Sequence, residues 1–80
     1  MTQLEVIAQM QPVFDEVFMD KVELTPTLTA KDVGEWDSLI HINLVLAIEE
    51  RFGVRFGVGE VEATRNVGDF ADLIAKKLSR

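Results

Sequence analysis

EWDSLIHINLVLAIEERFGV, residues 35–54, decides how this chain is read. A polar opening, Trp36-Asp37-Ser38, runs straight into a segment with helical spacing that is apolar around most of its circumference. At about 100° per residue, Ile40, Leu44, Val45, Ala47, Ile48 and Phe52 fall on one broad arc, wide enough for a core face. Leu39, Ile42 and Leu46 gather on the opposite side, with Ser38 at their head and Asn43, Glu49 and Glu50 around the margin. Gly53, directly after Phe52, is the residue type that most often closes a helix, so the pattern predicts a helix over 37–52. A chain of 80 residues has little left to cover a second apolar face. That face therefore reads as a surface kept for something that visits, with part of the preceding loop, Val33 or Trp36, expected to lie over some of it.

Upstream, residues 2–20 carry Leu4, Ile7, Met10, Phe14, Val17 and Phe18 close to the spacing of one helical stripe. Pro12 removes a backbone donor inside that stretch, but one helix is expected across it. Residues 21–36, KVELTPTLTAKDVGEW, have no period, and Thr25-Pro26 and Gly34 are turn signals. A loop this long in a small domain usually serves a function. Downstream, VRFGVGE is a connector punctuated by Gly57 and Gly59, and a lone strand there has nothing to pair with. Residues 60–64 read as a short third helix. Asn66 then opens the last helix as N-cap, with Asp69 in its first turn. Val67, Phe70, Ala71, Ile74 and Leu78 follow at helical spacing, and Lys76, Lys77 and Arg80 suit the negative end of the helix dipole. The expected fold is all-α: a four-helix bundle with one short third helix and a long loop between helices 1 and 2. Leu44, Ile48, Phe52, Phe14, Val17, Phe70 and Ile74 are its expected core.

Composition limits the function. The length suits one domain, residues 1–80, and not two. There is no cysteine, so no disulfide and no protein thiolate to hold a metal or attack a substrate. Net charge is −6, which disfavours nucleic acid and anionic membrane and favours basic partners. MTQLEVIAQMQ has no basic segment before a long apolar run, so it does not read as a signal peptide. The longest apolar run, Leu44 to Ile48, is far too short to span a bilayer. A soluble cytoplasmic protein, without membrane insertion and monomeric, is expected. His41 is the only histidine, and a lone histidine makes no metal site. DVGEWDSLIHIN offers oxygens at short spacing but lacks the acid-rich start, central glycine and final Glu of a calcium loop. Arg51, Arg55 and Arg65 read as solvated or paired with nearby carboxylates. Trp36 reads as packing the loop against the bundle, with guarding an attached group as its alternative.

Ser38 has three readings. As a nucleophile it needs a base in reach and an orienting group behind that base. His41 is one helical turn away, but no glycine-rich elbow surrounds Ser38, and an enzyme is not expected. As a cap, Asp37 or Ser38 simply starts the helix. As a site of covalent attachment, Ser38 would place a phosphate ester against free N–H groups at the positive end of the helix dipole.

GEWDSLIHINLVLAIEERFGVRF resembles the core motif of the acyl carrier proteins, and the resemblance runs along nearly the whole chain, to NVGDFADLIAKKL as the last helix. It implies that Ser38 carries 4′-phosphopantetheine derived from coenzyme A. It also implies that Asp37 and Leu39 flank the attachment point where the modifying synthase reads them, and that the acyl cargo is a thioester on the arm's own thiol. A chain without cysteine is compatible with that. The implied partners are a phosphopantetheinyl transferase and acyl-loading, acyl-transfer or condensing enzymes, which dock on Ile42, Leu46, Glu49, Glu50, Glu60 and Glu62. In carriers of fatty-acid synthesis an acidic residue usually follows Asp-Ser-Leu, with another three positions later; here Ile40 and Asn43 stand there. Trp36 is also unlike the housekeeping carriers. These departures point to a stand-alone carrier for a specialised lipid or secondary-metabolite pathway. A peptidyl or aminoacyl carrier, which shares the apolar residue after Ser-Leu, is one alternative. An unmodified helical interaction module using the Leu39–Ile42–Leu46 face is another.

Overall fold

In the computed structural model, which describes residues 1–79, each helix begins where a short polar side chain can take up an otherwise unpaired N–H group. Helix α1, Gln3–Val17, starts with a reciprocal pair: Glu5 N–H donates to Thr2 Oγ1 at 3.2 Å and Thr2 N–H to Glu5 Oε1 at 2.8 Å. Helix α2, Ser38–Phe52, is capped by Asp37, whose Oδ1 accepts Ile40 N–H at 2.9 Å. Helix α3, Val67–Leu78, is capped by Asn66, whose Oδ1 accepts Asp69 N–H at 2.8 Å. At its far end α2 is closed by Gly53 at φ 66°, a left-handed conformation that a side chain disfavours. Pro12 is accommodated within an unbroken α1. Arg80 lies outside the described residues.

Helix α1 packs against both α2 and α3, and one cluster fills the space between them. Phe14, Met10, Val6, Leu44, Ile48, Ala71 and Ile74 are fully buried, with Phe70, Val67 and Val13 nearly so. The all-helical class and the expected core therefore hold, with three adjustments. Val17 and Phe52 are only partly buried against the cluster. Leu4 is 66% exposed, because the buried stripe of α1 runs through Val6, Ile7, Met10, Val13 and Phe14, and Leu4 projects roughly 115° from its centre at 100° per residue. The short third helix at 60–64 is a run of turns: Glu60 N–H bonds Gly57 O, Ala63 N–H bonds Gly59 O and Thr64 N–H bonds Val61 O. Gly59, at φ 83°, takes the third position of the 57–60 turn, where the left-handed conformation favours glycine. Among the described residues the fourth helical element is instead a single 3₁₀ turn, Ala30–Asp32, inside the long loop.

The loop, residues 18–37, is fastened at four places. Gln11 Nε2 donates to Val22 O at 2.7 Å and its Oε1 accepts Leu24 N–H at 3.2 Å. Pro26 O and Leu28 O accept the N–H groups of Gly68 and Val67 at the start of α3. Glu35 accepts the N–H groups of Met19 and Asp20 at 2.8 and 3.2 Å. Trp36 sets its ring edge-on against Phe14 and Phe18, at centroid distances of 5.4 and 5.7 Å. Trp36 and Val33 thus pack toward the core, and Trp36 reaches the Leu39–Ile42–Leu46 face at Ile42, with which it lines one hollow. The loop ends anchored one residue before the Asp37 cap, which fixes where Ser38 enters α2.

Candidate functional site

Ser38 is the first residue of α2 and is exposed. It borders a shallow hollow of about 590 Å³ lined by Ala30, Trp36, Asp37, His41 and Ile42. Ile40 N–H is taken by the Asp37 carboxylate, while among the described residues no group accepts the N–H of Ser38 or Leu39. The head of the helix thus keeps two donors beside the serine hydroxyl. The other serine, Ser79, sits at the opposite kind of terminus, where its Oγ donates to Lys76 O at 2.9 Å. An anion attached there would meet helix carbonyls.

His41 is in no position to act as a base toward Ser38. Its Nδ1 accepts the indole N–H of Trp36 at 3.1 Å, and its Nε2 faces a Glu62 carboxylate oxygen 4.0 Å away. Both ring nitrogens are directed at other residues, so the arrangement that nucleophilic catalysis needs is not built. The Trp36–His41 bond was not foreseen from the sequence. Its one sequence signal is that the only tryptophan and the only histidine bracket Ser38 within five residues. The two rings also line a hollow of about 140 Å³, together with Leu28, Val61, Thr64 and Phe70 among others.

The second apolar face is exposed as its spacing predicts: Leu39 is 69%, Ile42 57% and Leu46 58% exposed. Leu46 also borders a hollow with Glu49, Glu50, Gly53, Val54 and Arg55. The acidic residues expected for docking divide. Glu50 and Glu62 are exposed. Glu49 Oε2 accepts Phe56 N–H at 2.9 Å and so holds the connector after α2. Glu60 is 2.8 Å from Lys77 Nζ and also accepts Gly57 N–H, which ties the turns to α3. Arg65 pairs with Asp69 at 2.9 Å, as expected of a surface arginine.

The family model described as "Phosphopantetheine attachment site" matches residues 9–74. The chain belongs to the acyl carrier protein family. It is 29% identical over 80 residues to the acyl carrier protein of Thermosynechococcus vestitus, covering 99% of each chain. It is 38% identical over 61 residues to that of Helicobacter pylori, covering 75% of this chain and 77% of the relative. A solution structure of the holo acyl carrier protein of Geobacter metallireducens superimposes with a TM-score of 0.86 at 41% identity, over 94% of this chain and 87% of that one. Members of this family are carriers, not enzymes, and the cofactor is covalently attached 4′-phosphopantetheine. The residues around Ser38 fit such a group: an exposed hydroxyl, open space beside it, and unpaired N–H donors at the positive helix end. Among the described residues no helix is long and apolar enough to cross a membrane.

Proposed function

We propose that this acyl carrier protein holds acyl intermediates as thioesters on a 4′-phosphopantetheine arm attached to Ser38, for a specialised lipid or secondary-metabolite pathway in the cytoplasm, with residues 1–80 acting as one carrier domain. The observation that carries this reading is the placement of Ser38, exposed at the head of a helix whose first two N–H groups meet no acceptor among the described residues. In the attachment step Ser38 Oγ forms an ester bond to the phosphorus of the phosphopantetheinyl group of coenzyme A. The pyrophosphate bond of coenzyme A breaks, adenosine 3′,5′-bisphosphate leaves, and the hydroxyl proton passes to a base of the transferase. The bound arm supplies a thiol that carries the acyl group. This chain presents the oxygen, sets two N–H donors near the phosphate, and offers a landing surface.

That surface is the face of Leu39, Ile42 and Leu46, with exposed Glu50 at its edge. Asp37 and Leu39 are the residues a modifying enzyme meets on either side of Ser38. Ile40 and Asn43 take the positions where charge-led docking has acids, which supports a partner that docks chiefly by apolar contact. Glu62 lies close enough to the site to contribute charge, whereas Glu49 and Glu60 are occupied in holding the fold.

Incubation of the full chain with coenzyme A and a phosphopantetheinyl transferase, followed by intact mass, tests the reading. One phosphopantetheine should add, and Ser38→Ala should abolish the gain. Modification at Ser79, or none in the wild type, would sink it.

A further inference from the structure

Trp36 and His41 stand on either side of Asp37-Ser38 and are joined by one hydrogen bond, from the indole Nε1–H to the imidazole Nδ1 at 3.1 Å. Trp36 closes the long loop and is wedged edge-on against Phe14 and Phe18 of the core. His41 belongs to the first turn of α2, its own N–H donating to Asp37 O at 2.9 Å. The bond therefore ties the loop to the helix across the serine, and ties both to α1. An indole N–H is a donor only, so its partner nitrogen must offer a lone pair. In this arrangement His41 is neutral, its proton lies on Nε2, and Nε2 faces Glu62 at 4.0 Å. The other charged groups lining the spaces around the ring are Asp37, already bonded to Ile40 N–H, and Arg65, held by Asp69. Protonation of His41 sets N–H against N–H at Trp36. At the same time it strengthens the attraction of the ring to Glu62, on the far side from the indole.

We propose that Trp36 and His41 are positioning residues for Ser38: their hydrogen bond, made only by the neutral imidazole, holds the Asp37–Ser38 helix start in the geometry that presents Ser38 Oγ to the modifying enzyme. This rests on Ser38 being the attachment site. The consequence is a carrier whose loading slows when that imidazole takes up a proton, since an imidazolium cannot accept the indole N–H.

The test compares phosphopantetheine uptake by the wild-type chain and three variants at pH 8 and pH 5.5, each rate divided by the wild-type rate at the same pH to cancel the transferase's own pH dependence. Trp36→Phe keeps a ring against Phe14 and Phe18 but has no N–H. His41→Phe removes the acceptor. His41→Asn keeps an acceptor near the Nδ1 position and does not titrate. Loss of one neutral hydrogen bond corresponds to roughly a two- to tenfold effect. Trp36→Phe and His41→Phe should be slower than wild type by that factor at pH 8, and the gap should narrow at pH 5.5. His41→Asn should match wild type at pH 8 and exceed it at pH 5.5. Amide exchange of Ile40 and His41 in the unmodified proteins should follow the same order. Equal uptake and equal exchange for wild type and Trp36→Phe at pH 8 would overturn the proposal, as would the same slowing at both pH values. If the wild type takes up nothing at either pH, the attachment reading fails instead. The Trp36–His41 tie then stands or falls on whether Trp36→Phe loses amide protection at pH 8, and loses less of it at pH 5.5.

Discussion

The N–H of Gly68 donates to the carbonyl of Pro26 at 2.9 Å, and that of Val67 to Leu28 at 2.8 Å. Two donors that α3 cannot satisfy internally are thus satisfied by the long loop. The loop is thereby held against the bundle 10 to 12 residues before Ser38, so its order and the order of α3 are coupled.

The close approach needs a glycine. A Cβ on residue 68 would sit 2.7 Å from Pro26 O and 3.0 Å from Gln3 Nε2. The first of these is backbone and can move only if the loop moves. Alanine is the better helix former by about 1 kcal/mol, but overpacking costs roughly 1–3 kcal/mol. Gly68→Ala is therefore expected to destabilise by up to about 2 kcal/mol, read as a lowered urea midpoint. A midpoint at or above wild type would contradict the geometry.

Two phenylalanines separate full from partial burial. Phe14 is fully buried and touches the rings of Phe18 and Trp36. Phe14→Ala should cost about 3–5 kcal/mol, comparable with the whole stability of so small a domain. Phe52 packs only partly against the core, at the last position of α2, and Phe52→Ala should cost about half as much. Chemical denaturation of both variants checks the order. Equal losses would mean that the end of α2 is as deeply held as the buried stripe of α1.

This contrast shows what the sequence could and could not give. Leu44 and Ile48 were legible as core, and Leu39, Ile42 and Leu46 as exposed, because a capped helix with a known start has a fixed angular register. Phe52 sits on the right side of that helix, but depth is set by what packs opposite, and no periodicity encodes that. Residues 60–64 carry helical composition, yet they form turns closed by Ala63 N–H to Gly59 O and Thr64 N–H to Val61 O, a pattern that composition does not set. The roles of Glu49 and Glu60 were hidden because their partners, Phe56 N–H and Lys77, reach them only after the connector folds back. The place of Ser38 at the head of α2 was legible because its capping signal, Asp37, is local. The Trp36–His41 bond spans a non-helical turn, and side-chain direction there follows from tertiary packing.

Asp69 predicts the acid limb of stability. The Arg65 guanidinium bonded to it, with Arg65 N–H as a second donor, holds its carboxyl below the ordinary value of 3.8. Glu5 is likewise lowered by the backbone and side-chain hydrogen bonds of Thr2. A depressed folded-state value means stability that is fully present above the unfolded-chain value and lost as pH falls through the folded one. Asp69→Asn should therefore melt with a shallower decline below about pH 4 than wild type, and lose its small deficit there. Glu5 is exposed and Asp69 partly so, and the effect should shrink in high salt. An unchanged acid limb would show that the Arg65 pair is not maintained in solution.

The last prediction concerns how partners land. An enzyme acting at Ser38 must approach the face of Leu39, Ile42 and Leu46, and Leu46 is 58% exposed there. Of the nearby acids, Glu49 is turned to Phe56 N–H, while Glu50 is exposed. Rim charge chiefly steers encounter and is screened by salt, whereas a buried apolar contact at the centre of an interface resists salt and governs dissociation. Leu46→Ala should therefore slow loading by a phosphopantetheinyl transferase at both low and high salt, by roughly five- to thirtyfold if it removes 1–2 kcal/mol of contact. Glu50→Gln should slow it less, and only at low salt. Helical circular dichroism should be unchanged in both, since neither side chain is part of the core. Kinetics of the two variants at about 20 mM and 500 mM salt, on either side of the screening range, decide the matter. If Glu50→Gln is the more damaging at high salt, docking is led by charge despite Ile40 and Asn43, and the apolar face is not the contact that holds the partner.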